Sequence, residues 1–325
     1  MKKLLVAILF LGVFISCEET SKKRSLEGSV GNTNNLKMVI DKELWQGRVG
    51  DTMRTILAAT VDGLPRDEPL FTLDQVTPDK FTGFVSKSRI FLSTKLGEPS
   101  HFSIEEDVTA RRQTAVMISG EDEDAIIEVF KTNKDKIIAA FKARELENTQ
   151  GRIRSSLKKT DSLKATFGIS MRFPTIYQYT KQEKNFFWMR KDLKRSGNMN
   201  ITVYEVPLNV IDKDTFSVAR IVRMRDSISG ANIDLNQGRF VTEPSFSPQL
   251  FETEIDGRFA WEMKGTWEVR DGRLMVGPFI NYAIRDEKNN RYVVVEGFVF
   301  SPSLDQRDTM FELEAILRST RFLDK

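Results

Sequence analysis

The clearest pattern of hydrophobic and polar positions lies in Arg258–Arg270. Apolar side chains there occupy nearly every second position and polar ones lie between them, which is typical of an antiparallel strand with one buried face. Asp271-Gly272 then predicts a two-residue hairpin turn, followed by a returning strand, Leu274–Ile284. Tyr292–Phe300 is almost entirely apolar, which predicts a central strand of the same sheet.

Other stretches place apolar residues at helical spacing. The strongest is Asp122–Leu146, which begins with acidic residues that suit the positive end of the helix dipole. Further helices are predicted at about Asp41–Ala59, which two internal glycines weaken, at about Asp214–Ile228, and after Pro302. Helices and strands of these lengths indicate a chain that mixes both kinds of element.

These elements predict an α+β fold of two units, each an antiparallel sheet covered by helices. We expect an N-terminal unit at 37–149, a linking helix at 150–165 and a C-terminal unit at 166–325. Residues 36–146 and 199–319 share an order of strand, helix, antiparallel strands, strand and helix. This order suggests an internal duplication, which matching strand orders in the two sheets would support.

The chain begins with the features of a bacterial export signal. Two lysines precede Leu4–Phe14, an apolar run that is too short to span a bilayer comfortably. Phe14-Ile15-Ser16-Cys17 resembles a lipobox, although leucine is usual in place of phenylalanine. We therefore expect residues 1–16 to be a signal peptide and Cys17 to carry fatty acyl groups, palmitate among them. The alternatives are an uncleaved anchor or an ordinary secretory signal.

The residues that follow the cysteine are polar. We expect 17–36 to be a flexible tether. Glu18-Glu19 resembles the surface-export signal of Bacteroidota lipoproteins. These features predict a cell-envelope protein held in the outer membrane by the lipid on Cys17, with a periplasmic and a surface-exposed position both open.

Composition narrows the chemistry. The 325 residues include one cysteine and one histidine, His101, which excludes an intramolecular disulfide and a Cys/His zinc site. We therefore expect no metal and no other cofactor. Of the 49 Lys and Arg and the 46 Asp and Glu, Lys2 and Lys3 belong to the predicted signal, which leaves a net side-chain charge of +1. This balance does not indicate a nucleic-acid partner.

Glu296 is the one weak candidate for a catalytic residue. It lies inside an apolar strand, where burial raises the pKa of a carboxyl group and suits a general acid. Glu262 and Glu268 on a neighbouring strand could complete a carboxylate pair for glycoside chemistry. Alternatively, Glu296 is a paired structural charge, and the arginines considered as its partner are Arg258, Arg270 and Arg291.

Two other features have simpler explanations than function. His101 lies in a loop-like stretch without a convincing nucleophile or acid beside it, so an exposed histidine without a special role is expected. The aromatic stretches Phe173–Tyr179 and Phe186–Trp188 could line a sugar- or lipid-binding cleft, but core packing explains them more simply.

Several segments together resemble one family, a domain-of-unknown-function family of Bacteroidota lipoproteins of about this length. The segments that carry the resemblance are Leu44-Trp45 to Gly50-Asp51, Leu64-Pro65, Glu68-Pro69, Phe187–Arg190, Gly265–Trp267, Met275–Phe279, Val295–Pro302 and Glu312–Leu317. Val276 departs from it, since a glycine is expected there. The resemblance covers most of the chain and implies no activity, ligand or catalytic residue.

The leading functional hypothesis is therefore a non-catalytic envelope lipoprotein. It would bind an envelope protein or a ligand such as a glycan, through its sheet face or the groove between its halves. One alternative is a carboxylate-based hydrolase of envelope glycans with Glu296 as the acid. The other is a structural or assembly factor of an envelope complex.

Overall fold

The N-terminal unit is built on a five-stranded sheet. The computed structural model describes residues 26–212, 218–233 and 238–323 of the chain. The strands of this sheet are β1 (Asn35–Val39), β2 (Thr72–Val76), β3 (Ile90–Leu96), β4 (His101–Glu106) and β5 (Thr114–Gly120). They are arranged in the order β2-β1-β3-β5-β4, and only β4 is antiparallel to its neighbour.

The prediction of an antiparallel N-terminal sheet is therefore wrong. Helices precede β2 and follow β5, and a crossover through a helix returns the chain in the same direction. The helices are α1 (Lys42–Gln46), α2 (Arg48–Leu57) and α3 (Glu123–Ile153), and they bury one apolar core against the sheet. The predicted helix over 41–59 is divided at Gly47. A Cβ atom at Gly50 would lie 1.9 Å from the carbonyl oxygen of Trp45, so α2 can begin this close to α1 only with glycine there.

The C-terminal unit is built on an antiparallel sheet with eight strands in the part of the chain that the structure describes. Its central strands follow the order β12-β13-β14-β9-β8-β7, and β10 and β11 both pair with β12. The strands and helices of this unit are α4 (Asp161–Phe167), β6 (Ile169–Ser170), β7 (Gln178–Glu183), β8 (Phe186–Asp192), β9 (Asn198–Pro207), α5 (Val218–Asn232), β10 (Arg239–Thr242), β11 (Gln249–Ile255), β12 (Arg258–Arg270), β13 (Val276–Asp286), β14 (Arg291–Phe300), α6 (Arg307–Leu317) and β15 (Arg321–Phe322).

Helices cover both faces of this sheet. One core lies between the sheet, α4 and α6, and a second lies between the opposite face and α5. The alternation in β12 is confirmed, as is β14 as a buried central strand. Glu262, however, is a polar position of β12 that is buried and pairs with Arg318 at the C-terminal end of α6 rather than facing water. A polar position in the alternating pattern of β12 can therefore belong to a charged contact between the sheet and a helix.

The predicted duplication is not supported. The N-terminal sheet is mostly parallel and the C-terminal sheet is antiparallel, with unrelated strand orders. The α+β class itself is confirmed, because both units combine sheets with packed helices.

The segment between the units differs from the predicted linking helix. The single helix α3 continues to Ile153, and α4 begins only at Asp161. The first residues of the predicted linker therefore complete the long helix of the N-terminal unit. Its C-terminal end contributes Ile153 to the core of the C-terminal unit.

The N-terminal tether is shorter than predicted. Backbone hydrogen bonds join Ser29 to Arg111 and Val30 to Lys87, so residues 27–30 lie against the N-terminal unit. The predicted signal peptide, the lipidation site Cys17 and residues up to 25 lie outside the described residues.

Hydrogen bonds join the two units directly. The backbone amides of Gln306 and Arg307, at the beginning of α6, donate to the two carboxylate oxygens of Glu68 at 2.7 and 2.8 Å. Glu68 belongs to the N-terminal unit and is buried. One unit thus supplies the N-terminal cap of a helix in the other, and the acid also suits the helix dipole.

Candidate functional site

Glu296 is sealed inside the protein. Its side chain has no exposed surface and neither has that of Arg225 on α5, with which it forms a bidentate ion pair. The Nη2–Oε1 and Nε–Oε2 distances are both 2.9 Å. Asn281 also donates to Oε2 at 2.8 Å. The hydrolase hypothesis required an open pocket at Glu296, and this geometry does not provide one.

The proposed carboxylate partners of Glu296 lie on the other face of the sheet. Glu262 is paired across strands with Tyr282, whereas Glu296 is paired with Asn281. Successive residues of a strand point to opposite faces, so the two glutamates are separated by the sheet. Glu268 lies an even number of residues from Glu262 on β12, so its side chain is on the same face as that of Glu262. A carboxylate pair for glycoside hydrolysis is therefore not assembled from these residues.

The arginines considered as partners of Glu296 have other acids. Arg258 and Arg291 donate to the buried carboxylate of Asp286 at 2.8 and 2.9 Å. Arg270 lies 3.5 Å from Glu268. The paired-charge explanation of Glu296 is thus correct in kind, but its partner is Arg225, which lies on a helix 71 residues earlier in the chain.

The other predicted features agree with their simpler explanations. His101 is exposed at the beginning of β4. The aromatic side chains Phe173, Tyr177, Phe186, Phe187 and Trp188 are buried in the two cores of the C-terminal unit. They do not line a cleft.

A groove at the junction of the units is the best candidate for a functional site. We call it the junction groove. The space between its walls, with the solvent at its open side included, is about 550 Å³. Its walls come from the loop between α2 and β2, from α3, from β12 and β13, and from α6. The residues that line it are Asn34, Val61, Asp62, Gly63, Leu64, Leu70, Lys142, Lys264, Phe279, Ile280, Arg307, Met310, Phe311 and Glu314.

Close packing fixes the shape of this groove. Gly63 adopts a φ of +77°, and a Cβ atom there would lie 2.9 Å from Cβ of Lys264. Only glycine allows the loop to approach β12 so closely. Partly buried Leu64, Leu70 and Phe311 then present apolar surface to the groove.

A chain of alternating charges forms the polar wall. Lys264 lies 2.7 Å from Glu262, Glu262 lies 2.6 Å from Arg318, and Arg318 lies 2.9 Å from Glu314. Burial raises the pKa of the Glu262 carboxyl, but Lys264 and Arg318 outweigh that effect and hold the pKa below its usual value. Burial raises the pKa of Tyr282 on the adjacent strand well above its usual value, which keeps the phenol neutral.

Lys142 of α3 differs from these paired groups. Within the described residues it makes no hydrogen bond and no ion pair closer than 4.0 Å. The side chain as a whole is exposed. Its ammonium nevertheless loses water by facing the groove, and this desolvation, together with the nearby charge of Lys264, lowers its pKa. The groove therefore combines apolar surface with one cation that lacks a partner, which suits an amphipathic molecule with one anionic group.

Sequence reasoning indicated a groove between the halves but none of its residues. Lys142 has the helical surroundings of an ordinary surface lysine, and Lys264 alternates within a strand. They become neighbours only because α3 and β12 meet at the junction. No local pattern marks such a contact.

No group of three or more His, Cys, Asp and Glu side chains is placed to hold a metal ion in residues 26–212, 218–233 and 238–323. None of the helices within those ranges is long and apolar enough to cross a bilayer.

The architecture and the groove together define a two-unit α+β protein with a charged, partly apolar junction. The chain belongs to the family described as "Domain of unknown function (DUF4837)", which matches residues 156–319. Residues 29–154 match a second one, "Domain of unknown function (DUF8532)". No curated protein matches the chain.

Several solved structures have partial similarity to this chain. The Ran-binding protein Mog1p of Saccharomyces cerevisiae has 14% identity and a TM-score of 0.30, and the match covers 48% of this chain and 91% of that one. CyanoP, the PsbP of Synechocystis sp. PCC 6803, has 13% identity and a TM-score of 0.32, and the match covers 51% of this chain and 92% of that one. LpqN of Mycobacterium tuberculosis, which is involved in cell envelope biogenesis, has 11% identity and a TM-score of 0.28, and the match covers 47% of this chain and 81% of that one. Similarities of this size carry no argument about function.

Proposed function

We propose that this protein is a lipid-anchored cell-envelope protein that binds an amphipathic ligand with one anionic group in the junction groove. The observation that carries the proposal is the ammonium of Lys142. It has no ionic partner within the described residues and lies beside partly buried apolar side chains. An anionic head group would pair with Lys142, and an apolar body would cover Leu64 and Phe311.

Charge balance supports an anionic head group. Glu314 and Glu262 are already neutralised by Arg318 and Lys264. A cationic ligand would have to compete for these two acids, and Asp62, which also lines the groove, accepts a hydrogen bond from Gln249. An anion finds Lys142 without an ion pair within the described residues. A charged hydrogen bond of this kind contributes about 1.5–3 kcal/mol when its surroundings exclude water.

Titration calorimetry with decanoate, a carboxylate with a flexible apolar chain, tests the site. We expect the wild type to bind it and Lys142→Gln to bind about tenfold more weakly, which corresponds to about 1.4 kcal/mol. Lys136→Gln, on an exposed position of the same helix, is the matched control and is expected to bind as the wild type does. Absence of binding by the wild type, or equal binding by the two lysine variants, would contradict the proposal.

A crosslinking experiment tests the natural occupant. A photoreactive phenylalanine at Phe311 in the groove, and another at the exposed Ile104 of β4, are introduced into the full chain in its native envelope. We expect a small amphipathic adduct from position 311 and none from position 104. A protein adduct from position 311 would indicate that the natural occupant of the groove is a partner protein and not a small ligand.

The anchor is tested separately. The lipobox-like sequence predicts that Cys17→Ala releases the protein from the membrane fraction. Wild-type-like membrane association of this variant would contradict the anchor but not the ligand site.

A further inference from the structure

A second concave surface lies on the N-terminal unit and shares no lining residue with the junction groove. We call it the arginine cleft, because Arg89, Arg111, Arg112 and Arg152 line it. Residues 28 and 29, the turn between β4 and β5, and the C-terminal end of α3 form its walls. Its empty volume is about 1050 Å³.

The acids near the cleft neutralise only part of this charge. Glu145 has no exposed surface and accepts from Nε of Arg89 at 3.0 and 3.2 Å. Asp107 accepts from the backbone amides of Arg112 and Gln113, so its charge stabilises the turn. Four arginines therefore line a surface on which the two nearby carboxylates are already engaged.

All four arginines have donors that lack an acid. Arg152 donates to the hydroxyl groups of Thr33 and Thr149 at 3.0 Å each. Within the described residues, the guanidinium groups of Arg111 and Arg112 make no hydrogen bond and no ion pair. Nη2 of the buried Arg89 also lacks a partner there. Burial, and then the charge of Arg89, lower the pKa of Arg152, so these two arginines repel each other.

The backbone holds Arg112 in an unfavourable conformation. Its φ is +60°, in the left-handed region that glycine and asparagine adopt more readily. Such strain is retained where the surrounding structure or a function requires it. Gly151 of α3 leaves room for this side chain, because a Cβ atom there would lie 3.1 Å from Nη1 of Arg112.

We propose that the arginine cleft binds a phosphate group. The planar fork of each guanidinium donates two parallel hydrogen bonds, and a phosphate offers enough oxygens to engage several forks at once. A single carboxylate has only two oxygens for these donors. The phosphate would supply the acceptors that Arg111, Arg112 and Arg152 lack.

Two sources of phosphate fit the cleft: a phospholipid head group and a soluble phosphate ester. Gly28 lines the cleft and lies 11 residues after Cys17, so a tether to a lipidated Cys17 would span at most about 40 Å. Only the lipid source depends on the anchor. Phosphate binding itself rests neither on the anchor nor on the junction groove.

Binding of pyrophosphate and glycerol phosphate to the purified full chain, measured by calorimetry at low salt, tests the soluble source. Flotation with phosphatidylcholine vesicles, with and without phosphatidylglycerol, tests the lipid source. The test variants are Arg111→Gln and Arg112→Asn, the second of which fits the positive φ. Arg273→Gln, at an exposed turn of the C-terminal unit, is the matched control, and melting temperatures show that each variant folds.

We expect each test variant to weaken phosphate binding about tenfold or more and Arg273→Gln to leave it unchanged. Cleft-dependent binding of the soluble probes alone identifies a soluble ester, and cleft-dependent binding only to vesicles with phosphatidylglycerol identifies a head group. Either result supports the site. If no probe binds, or if Arg273→Gln weakens binding as much as the test variants do, the proposal is overturned.

Discussion

The Arg225–Glu296 pair of the C-terminal unit and the arginine cleft of the N-terminal unit treat charge in opposite ways. In the C-terminal unit, Arg225 and Glu296 are both inaccessible to solvent and neutralise each other across the interface of α5 and the sheet. In the N-terminal unit, the arginine cleft keeps more cations than acids and opens to solvent. The buried pair fixes a packing arrangement, whereas the surplus leaves donors available to a molecule from outside. A buried charge that is fully paired therefore has a structural role, whereas a charge without a partner is a candidate for binding.

Glu296→Ala makes the strongest test of this contrast. It leaves the buried charge of Arg225 with only the longer 3.5 Å ion pair to Asp226, so we expect a loss of about 3–5 kcal/mol in the free energy of unfolding, measured by urea denaturation. Replacing both residues by methionine should recover much of that loss, because no charge remains buried. Glu287→Ala, at an exposed ion pair with Arg285, should change stability by less than about 1 kcal/mol. A similarly small effect of Glu296→Ala would contradict a structural role for the pair.

Asp286 extends the contrast to pH. Burial raises its carboxyl pKa, but hydrogen bonds from Asn289 and Arg291 and the charges of Arg291 and Arg258 outweigh this and hold the pKa below 3.8. Its contribution to stability is therefore present above the unfolded-state value and is lost as pH falls through the lower folded-state value. We expect Asp286→Asn to cost about 2–3 kcal/mol at neutral pH and to flatten the decline in stability below pH 4, measured by urea denaturation across pH. An unchanged acid decline would show that other groups cause it.

Glu68 tests the connection between the units. Glu68→Ala removes the cap of α6, and we expect thermal denaturation to show a loss of about 1–2 kcal/mol. Glu68→Gln keeps one acceptor and should lose less. Equal losses in the two variants would indicate that packing, rather than capping, explains the effect.

Arg112→Asn tests whether a residue of the arginine cleft supports the fold, and it should have the smallest effect on stability. It removes a guanidinium that makes no hydrogen bond and no ion pair within the described residues, and asparagine fits the positive φ. We therefore expect a change within about 0.5 kcal/mol of the wild type, measured by urea denaturation. A loss of more than about 2 kcal/mol would show that Arg112 supports the fold, and that its conformation is not retained for binding.

Local patterns predicted the elements better than their partners. The alternation of β12 and the apolar run of β14 were sufficient to predict a C-terminal antiparallel sheet, since a strand pattern depends on its own residues. The direction of β1 relative to β3 depends on a pairing between distant segments, which periodicity does not encode. For the same reason, the sequence pattern did not predict Arg225 as the partner of Glu296. It did not predict the arginine cleft either, because its members Arg89 and Arg152 lie far apart in the sequence.

The cap that Glu68 places on α6 has a consequence for the chain between the units. The noncovalent contacts at the junction include both carboxylate oxygens of Glu68, the contact of Arg66 with the carbonyl of Leu304 at 2.7 Å, and that of Gln150 with the carbonyl of Ala315 at 3.1 Å. A peptide bond near residue 156 adds continuity to this junction but is not what holds it together. A molecule cleaved there is expected to persist as a two-fragment complex, in which each fragment completes the other.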